Sequence, residues 1–519
     1  MRTRPSTFSK KGVVSSASIQ SSIAGAKVLE SGGNIVDAAI ATSAVLCVTQ
    51  NNMCGLGGDT FLLLKFNEKP VIDLNGSGRA FNSVSIERFT NNDMKNIPTK
   101  GKDSVLTVPG LVRAWEDLHK RYGTKEVKDL LNPAYEYAKN GFPITQNYSE
   151  SIELSSNHLR EFANWREIFV KDGSFPLPGT IFRQEDLANT IESLISDGLS
   201  SFYEGNLADK TIQGLNKLGV DISSDDLSKH ESTFQEPLKT QFNGFDVYET
   251  APNSQAATVI LWLNMLSFKQ PDLTLEDILT TGYIAYSQRD KFIADPAFFP
   301  LPGNFITMEH AKEISEDNKF PKIAGNKAGD RGDTTYFSIT DTEENSISMI
   351  QSNYMGFGSG IVPKGTGFVM QNRGNYFSLD PKHHNALRPG KRTFHTLCAG
   401  MLEDESGYLA SIGSMGGDIQ PQLHVQLILG LMKQQEDPQA VIDTPRWAFP
   451  YTIYDKPATF LVESKIYSND IKKTFLDRGL KNIGFSTQLG NAHITARLKN
   501  GVVVGGSDPR GDGISIPAT

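Results

Sequence analysis

The chain has 519 residues, of which 38% are hydrophobic and 21% charged, with a formal net charge of -8. That length fits two or three domains, or one large α/β unit, and a mean hydropathy of -0.31 fits a soluble globular protein. The acidic balance and the lack of a basic block exclude nucleic acid and anionic membranes as expected partners.

The N-terminal stretch MRTRPSTFSKKGVVSS is basic but has no apolar run behind it, so no signal peptide is expected. Three cysteines, Cys47, Cys54 and Cys398, cannot close a disulfide framework, and no CxxC pair is present for zinc. Both features point to a cytoplasmic location. Ile19, Ile23, Ala26 and Leu29 recur at helical spacing, and Gly32-Gly33 supplies a stop. The apolar run Val36 to Val48 is shorter than the roughly 20 residues of a membrane span, so it predicts a buried central helix. Gly55, Gly57 and Gly58 predict a tight loop, followed by a strand over Phe61 to Phe66. From about Gly110 to Gln270 the pattern is mainly helical, with amphipathic stretches such as Leu111 to Tyr122. A helix from Leu275 to about Ala294 leads into a polar, Gly- and Lys-rich linker at about 299–333, most marked over Asn304 to Asp333. No internal repeat is present.

After Thr334 the texture changes. TTYFSITD and NSISMIQS predict two strands joined by the acidic turn Asp341 to Asn345, a hairpin. GTGFVMQN (Gly365 to Asn372) and GYLASIGS (Gly407 to Ser414) predict further strands, Pro421 to Lys433 a helix, and His493 to Gly513 a last hairpin. Helix-rich before Thr334 and sheet-rich after it, the two regions, 1–333 and 334–519, read as sharing one layered core.

A Thr-Thr pair in a strand is an ordinary β-former. Thr334 gains interest because it opens a strand behind a dispensable linker, as an N-terminal nucleophile needs. Cutting the bond before it would free its α-amine to act as base for its own hydroxyl. The loop GSMGG (Gly413 to Gly417) adds consecutive glycine amides that can aim two N–H groups at one oxyanion, although on its own it reads as a turn. FGSG, Phe357 to Gly360, is another tight turn. No dinucleotide fingerprint, Walker A motif or GxSxG elbow occurs. His383-His384 lacks the spacing of a metal site and reads as a solvated loop, and His395 as a packed histidine. The RGD tripeptides at Arg331 to Asp333 and Arg510 to Asp512 read as chance. No metal and no cofactor are expected.

Taken together, these segments resemble the γ-glutamyltransferase family of N-terminal nucleophile hydrolases, in its γ-glutamyltransferase-like, cephalosporin acylase-like branch. The resemblance runs through nearly the whole chain: GGNIVDAA (Gly32 to Ala39), CGLGGD (Cys54 to Asp59), VPG (Val108 to Gly110), NGFPIT (Asn140 to Thr145) and APNSQ (Ala251 to Gln255), then GDTTYFSITD (Gly332 to Asp341), FGSG, GSMGG and SDPRGDG (Ser507 to Gly513). It implies an α+β fold, a four-layer αββα sandwich, made as a precursor that cuts itself between Asp333 and Thr334. It implies that Thr334 is the nucleophile, that Ser352 supports it in place of a threonine, and that Gly416 and Gly417 form the oxyanion hole. The large and small fragments would stay associated, with a homo-oligomer as a further option, and the substrate would be a small amide.

The departures from the family pattern concern the substrate pocket. The arginine that holds a glutamate α-carboxylate in the family falls here on Asn75, with Arg79 four residues on. The positions that hold the α-amine fall on Tyr354, Arg373 and Tyr376, and the serine pair on His395-Thr396. An arginine in place of an acceptor repels an ammonium. The expected substrate therefore carries a γ-glutamyl or related, glutaryl-like acyl group, with Arg79, Arg373 and His395 converging on it. Two alternatives are a glutathione hydrolase with a different glutamate clamp, and an uncleaved binding protein of the same fold.

Overall fold

The structure, a computed structural model, describes residues 3–67, 69–170, 173–316, 332–449, 459–464, 469, 471–472 and 479–519. The strands that build its centre are, in chain order, β1 (Thr7–Ser9), β2 (Gly12–Ser16), β3 (Asp59–Lys65), β4 (Ile72–Gly76), β5 (Thr233–Gln235), β6 (Leu238–Phe242) and β7 (Phe245–Glu249). They continue with β8 (Gly332–Asp341), β9 (Ser346–Met355), β10 (Gly400–Glu403), β11 (Leu409–Ser414), β12 (Ala492–Arg497), β13 (Val503–Ser507) and β14 (Ile514–Ala518). Among the described residues they form two seven-stranded antiparallel sheets. One runs β14-β2-β8-β9-β3-β4-β5 and the other β1-β13-β12-β11-β10-β7-β6. Both sheets mix strands from before and after the Asp333–Thr334 bond.

The sheets lie face to face, with helices outside each. On the first sheet pack α1 (Ile19–Glu30), α2 (Ile35–Thr49) and α3 (Leu111–Tyr122). On the second pack α4 (Ala257–Ser267), with α5 (Leu275–Phe292) behind it, then α6 (Gln420–Leu431) and α7 (Pro438–Asp443). This is the expected αββα order. It explains why DTFLLLK is apolar on both faces: Phe61 and Leu63 enter the inter-sheet layer, while Leu62 and Leu64 enter the helix layer. Tyr336 crosses that interior, and a Cβ at Gly413 on the facing strand would stand 2.3 Å from its ring.

Helix α2 is buried along its whole length, as its all-round apolar sequence requires. The GGNIVD segment starts it: Asn34 accepts from the Val36 and Asp37 N–H groups, and Asp37 accepts from the Asn34 N–H, a capping box. No helix of the described residues is long and apolar enough to cross a membrane.

Two expectations give way and a third is incomplete. Gly365 to Asn372 is not a strand: Gly365 and Gly367 take φ of 75° and 73°, and Met370 and Gln371 bond to Ile361 and Gly57 rather than to a ladder. The region from about Gly110 to Gln270 is mainly helical as expected, but it also contains β5, β6 and β7. Its β6–β7 hairpin turns at Asn243-Gly244, both with positive φ, an Asn-Gly turn signal that helical periodicity on either side obscured. Part of the expected linker is a helix, Met308–Glu316, because Ala311 and Ile314, three apart, pack on the core. Residues 317–331 of that linker, with the first arginine of the RGD at 331–333, lie outside the described residues.

Candidate active site

β8 and β9 pair out of step at one place. Asp333 pairs with Tyr354 and Thr335 with Gln351, so Thr334 faces both Ser352 and Asn353 across a β-bulge. Tyr354 takes φ of 82° there, a left-handed conformation uncommon outside glycine. The bulge gathers three groups on one hydroxyl. Thr334 Oγ1 donates to Ser352 Oγ (3.1 Å), Ser352 Oγ donates to the Asp333 carbonyl oxygen (2.7 Å), and the Tyr354 N–H donates to Ser352 Oγ (2.7 Å). Ser352 thus uses its proton on the carbonyl next to Thr334 and accepts from Thr334 itself. Thr334 is 1% exposed.

Glycines bring the surrounding backbone close. A Cβ at Gly58 would stand 2.5 Å from the Ser352 carbonyl oxygen, and one at Gly57 2.2 Å from that of Val369, so CGLGGD packs directly under the bulge. A Cβ at Gly356 would stand 2.9 Å from Asp333 Oδ2. Lys100 Nζ secures the FGSG turn by donating to the carbonyls of Gly356 (2.6 Å) and Gly358 (2.8 Å).

GSMGG leaves the end of β11 and runs through a short 3-10 turn, Gly417–Ile419, into α6. That turn lies against β8. Gly416 and Gly417 take φ of 146° and 57°, and no acceptor among the described residues takes either N–H. Unpaired N–H groups at a helix start, with its positive dipole end, suit an oxyanion. Gln255 of APNSQ fixes the turn: its Nε2 donates to the Gly417 carbonyl (2.9 Å) and the Thr396 carbonyl (2.8 Å), and its Oε1 accepts from Arg289. Arg289 also donates to Asp418 Oδ1 (3.1 Å), whose Oδ2 accepts from Tyr376 (2.8 Å).

The predicted pocket residues divide. Arg373 is buried, donates Nη1 to Thr396 Oγ1 (2.9 Å), and lies 4.2 Å over the Tyr354 ring and 5.7 Å from that of Tyr376. His395 is beside them but fully enclosed. Its Nδ1 accepts from the Leu397 N–H (3.3 Å), so its Nε2–H points at Asp59 Oδ2 (3.1 Å). Burial, reinforced by Arg373 and Arg392, drives its pKa well below the usual value, so the ring is neutral. Burial raises the Asp59 carboxyl to about 6, opposed by hydrogen bonds from Gln371, Gly78 and Gly110 and by the charge of Arg373.

Asn75 and Arg79 do not join this group. Asn75 is buried and occupied: it donates to Asn253 Oδ1 (2.8 Å) and accepts from the N–H (3.0 Å) and hydroxyl (2.7 Å) of Ser77. The Arg79 side chain is 38% exposed and its contacts are Gly390 O (3.3 Å) and Asp295 (3.9 Å). Asp59, Gln255, Arg289 and Asp418 emerged only in three dimensions. Two of them ended a matched segment, CGLGGD and APNSQ, and Asp418 adjoined GSMGG. In the second RGD, Arg510 is buried and bound by Glu463 (2.6 Å from Nε) and Asp508 (3.0 Å from Nη1).

The Gamma-glutamyltranspeptidase family model matches residues 21–518. The chain is 34% identical to a glutathione hydrolase-like YwrD proenzyme of Bacillus subtilis, over 98% of this chain and 99% of that one. It is 32% identical to an oxamate amidohydrolase proenzyme of Klebsiella pneumoniae, over 94% of each. The solved structure of a cephalosporin acylase from Bacillus halodurans superposes with a TM-score of 0.90 at 31% identity, over 99% of this chain and 97% of that one. Matched almost from end to end in sequence and in fold, the chain belongs to the γ-glutamyltranspeptidase family and is an enzyme of amide bonds, a hydrolase or acyltransferase.

Proposed function

We propose that the chain is a precursor that cuts itself between Asp333 and Thr334, after which Thr334 hydrolyses or transfers a γ-glutamyl or related, glutaryl-like acyl group held in an amide. The observation that carries this reading is the Ser352 hydroxyl, which bridges Thr334 Oγ1 and the Asp333 carbonyl oxygen. Thr334 Oγ attacks the Asp333 carbonyl carbon and passes its proton toward Ser352. The hydrogen bond from Ser352 polarises that carbonyl. The C–N bond breaks, the nitrogen takes up a proton as the Thr334 amine, and water opens the resulting ester to free the Asp333 carboxylate.

The new amine has an ordinary pKa of about 7.7–8.0, so a useful fraction is neutral near pH 7. It takes the Thr334 hydroxyl proton as Oγ attacks the substrate carbonyl, and the Gly416 and Gly417 N–H groups receive the oxyanion. The proton then goes to the leaving amine, and water or a second amine removes the acyl group from Thr334. The relative named for oxamate hydrolysis, whose substrate has a carboxylate bonded to its amide, favours an anionic acyl group.

The test is a panel of acyl-anilides with wild type and Thr334→Ala. Wild type should release aniline from glutaryl or γ-glutamyl donors and Thr334→Ala from none; equal release by both contradicts the assignment.

A further inference from the structure

Arg373 opens a short turn, Arg373–Tyr376, and is 1% exposed. Its Nη1 is held by Thr396, and the Tyr354 ring stacks under the guanidinium. Nε and Nη2 meet no acceptor among the described residues. Those two N–H groups form the side-on face of a guanidinium. They point the same way in one plane, at the spacing of the two oxygens of a carboxylate.

The carboxylates whose fields reach Arg373, Asp59 and Asp418, are engaged elsewhere. Asp59 accepts from Gly78, Gly110, Gln371 and His395. Asp418 accepts from Arg289 and Tyr376. A desolvated cation with an empty fork is unfavourable until an anion fills it. The fork is also tied to the nucleophile. Tyr354, whose ring lies under it, pairs with Asp333 across the hairpin and donates its N–H to Ser352.

We propose that the Nε/Nη2 fork of Arg373 seats a carboxylate on the acyl half of the substrate, which makes Arg373 the residue that selects dicarboxylate monoamides. An ammonium beside that carboxylate finds no uncommitted carboxylate there: the groups that touch Arg373 are two tyrosine rings and the Thr396 hydroxyl, and Asp59 and Asp418 are already engaged. Neutral acyl groups leave the fork empty. The identity of the reacting amide rests on Thr334 as nucleophile; the anion seat does not.

Three amides that differ by one group separate the two readings: glutaramate, L-glutamine (glutaramate with an α-ammonium) and butyramide (without the carboxylate). Each is titrated into the wild-type protein by calorimetry while ammonia release is followed. Glutaramate should bind ~10-fold or more tightly than either of the others, the scale of a charge-assisted pair. Arg373→Gln should abolish its advantage over butyramide, and Arg373→Lys should keep part of it. Should Arg373→Gln melt abnormally, Thr396→Val, which removes only the Nη1 anchor, should reduce the advantage by a smaller factor. Equal binding of glutaramate and butyramide, an advantage that survives Arg373→Gln, or L-glutamine binding as well as glutaramate would each overturn the proposal. Binding in that order without ammonia release upholds the seat and removes the amidohydrolase reading instead.

Discussion

At the scale of single residues, Ser352 has one proton to give and directs it at the Asp333 carbonyl oxygen, 2.7 Å away. Replacing it with alanine removes both the polarising donor and the acceptor for Thr334. Ser352→Ala should slow self-cleavage by ~10²-fold, the usual effect of losing one donor to a developing oxyanion, and Ser352→Thr should restore it, as a time course on denaturing gels would show. Asp73 in β4 makes a separate prediction. Burial raises its carboxyl from 3.8 to about 7, against hydrogen bonds from Ala251 and Gln235. The fold therefore favours the protonated acid; that stabilisation is complete below the unfolded pKa and is lost as pH rises through the folded one. Asp73→Asn should stabilise the protein near pH 8 by at most about 4 kcal/mol, and change little near pH 4. A melting-temperature shift of equal size at both pH values would contradict this. The segments that hold Thr334, Gly416 and Gly417 were legible in the sequence because each is a short contiguous run. The surroundings of Asn75 and Arg79 were not, because the partner of Asn75 is Asn253, far along the chain, and that of Arg79 is Asp295.

At the scale of elements, the Gly416-Gly417 turn is positioned from behind. α6 is anchored to β7 by His424 Nδ1 and Glu249 (2.7 Å) and to the strand-linking segment by Gln420, which accepts from the Cys398 N–H (2.8 Å). Gln255 then joins the turn to the segment that carries His395 and Thr396. Gln255→Leu leaves the Gly417 and Thr396 carbonyls without that donor and Arg289 without that acceptor. Its kcat should fall by ~10- to 100-fold with a smaller change in KM, because oxyanion donors act in the transition state more than in the ground state; a pure KM effect would argue against this role. The β8–β9 hairpin was legible because its strands alternate and its acidic turn is explicit. Asp341 Oδ1 accepts there from the N–H groups of Glu343 (2.8 Å) and Asn345 (3.0 Å). The bulge that aims Ser352 was not legible. It is a one-residue mismatch between two strands that each look regular alone.

At the scale of the whole molecule, both sheets interleave strands from before and after Thr334: β8 lies between β2 and β9, and β11 lies two strands from β7. Cutting one peptide bond at the start of β8 leaves these ladders and the layer between the sheets intact. The cleaved protein should elute from gel filtration as one species and separate into 1–333 and 334–519 only in denaturant. The layered core was legible from helix-rich and sheet-rich halves, but the strand order was not, because pairing depends on contacts between distant parts of the chain. Self-cleavage would make Thr334 an N-terminus. Intact-mass analysis of the purified wild-type protein, with N-terminal sequencing of the smaller species, tests it directly. The expected result is two masses corresponding to 1–333 and 334–519, the second beginning Thr-Thr-Tyr, and a single uncut mass for Thr334→Ala. A wild-type chain that stays whole under conditions where it is active, or a cut at any other bond, would show that Thr334 is not an N-terminal nucleophile.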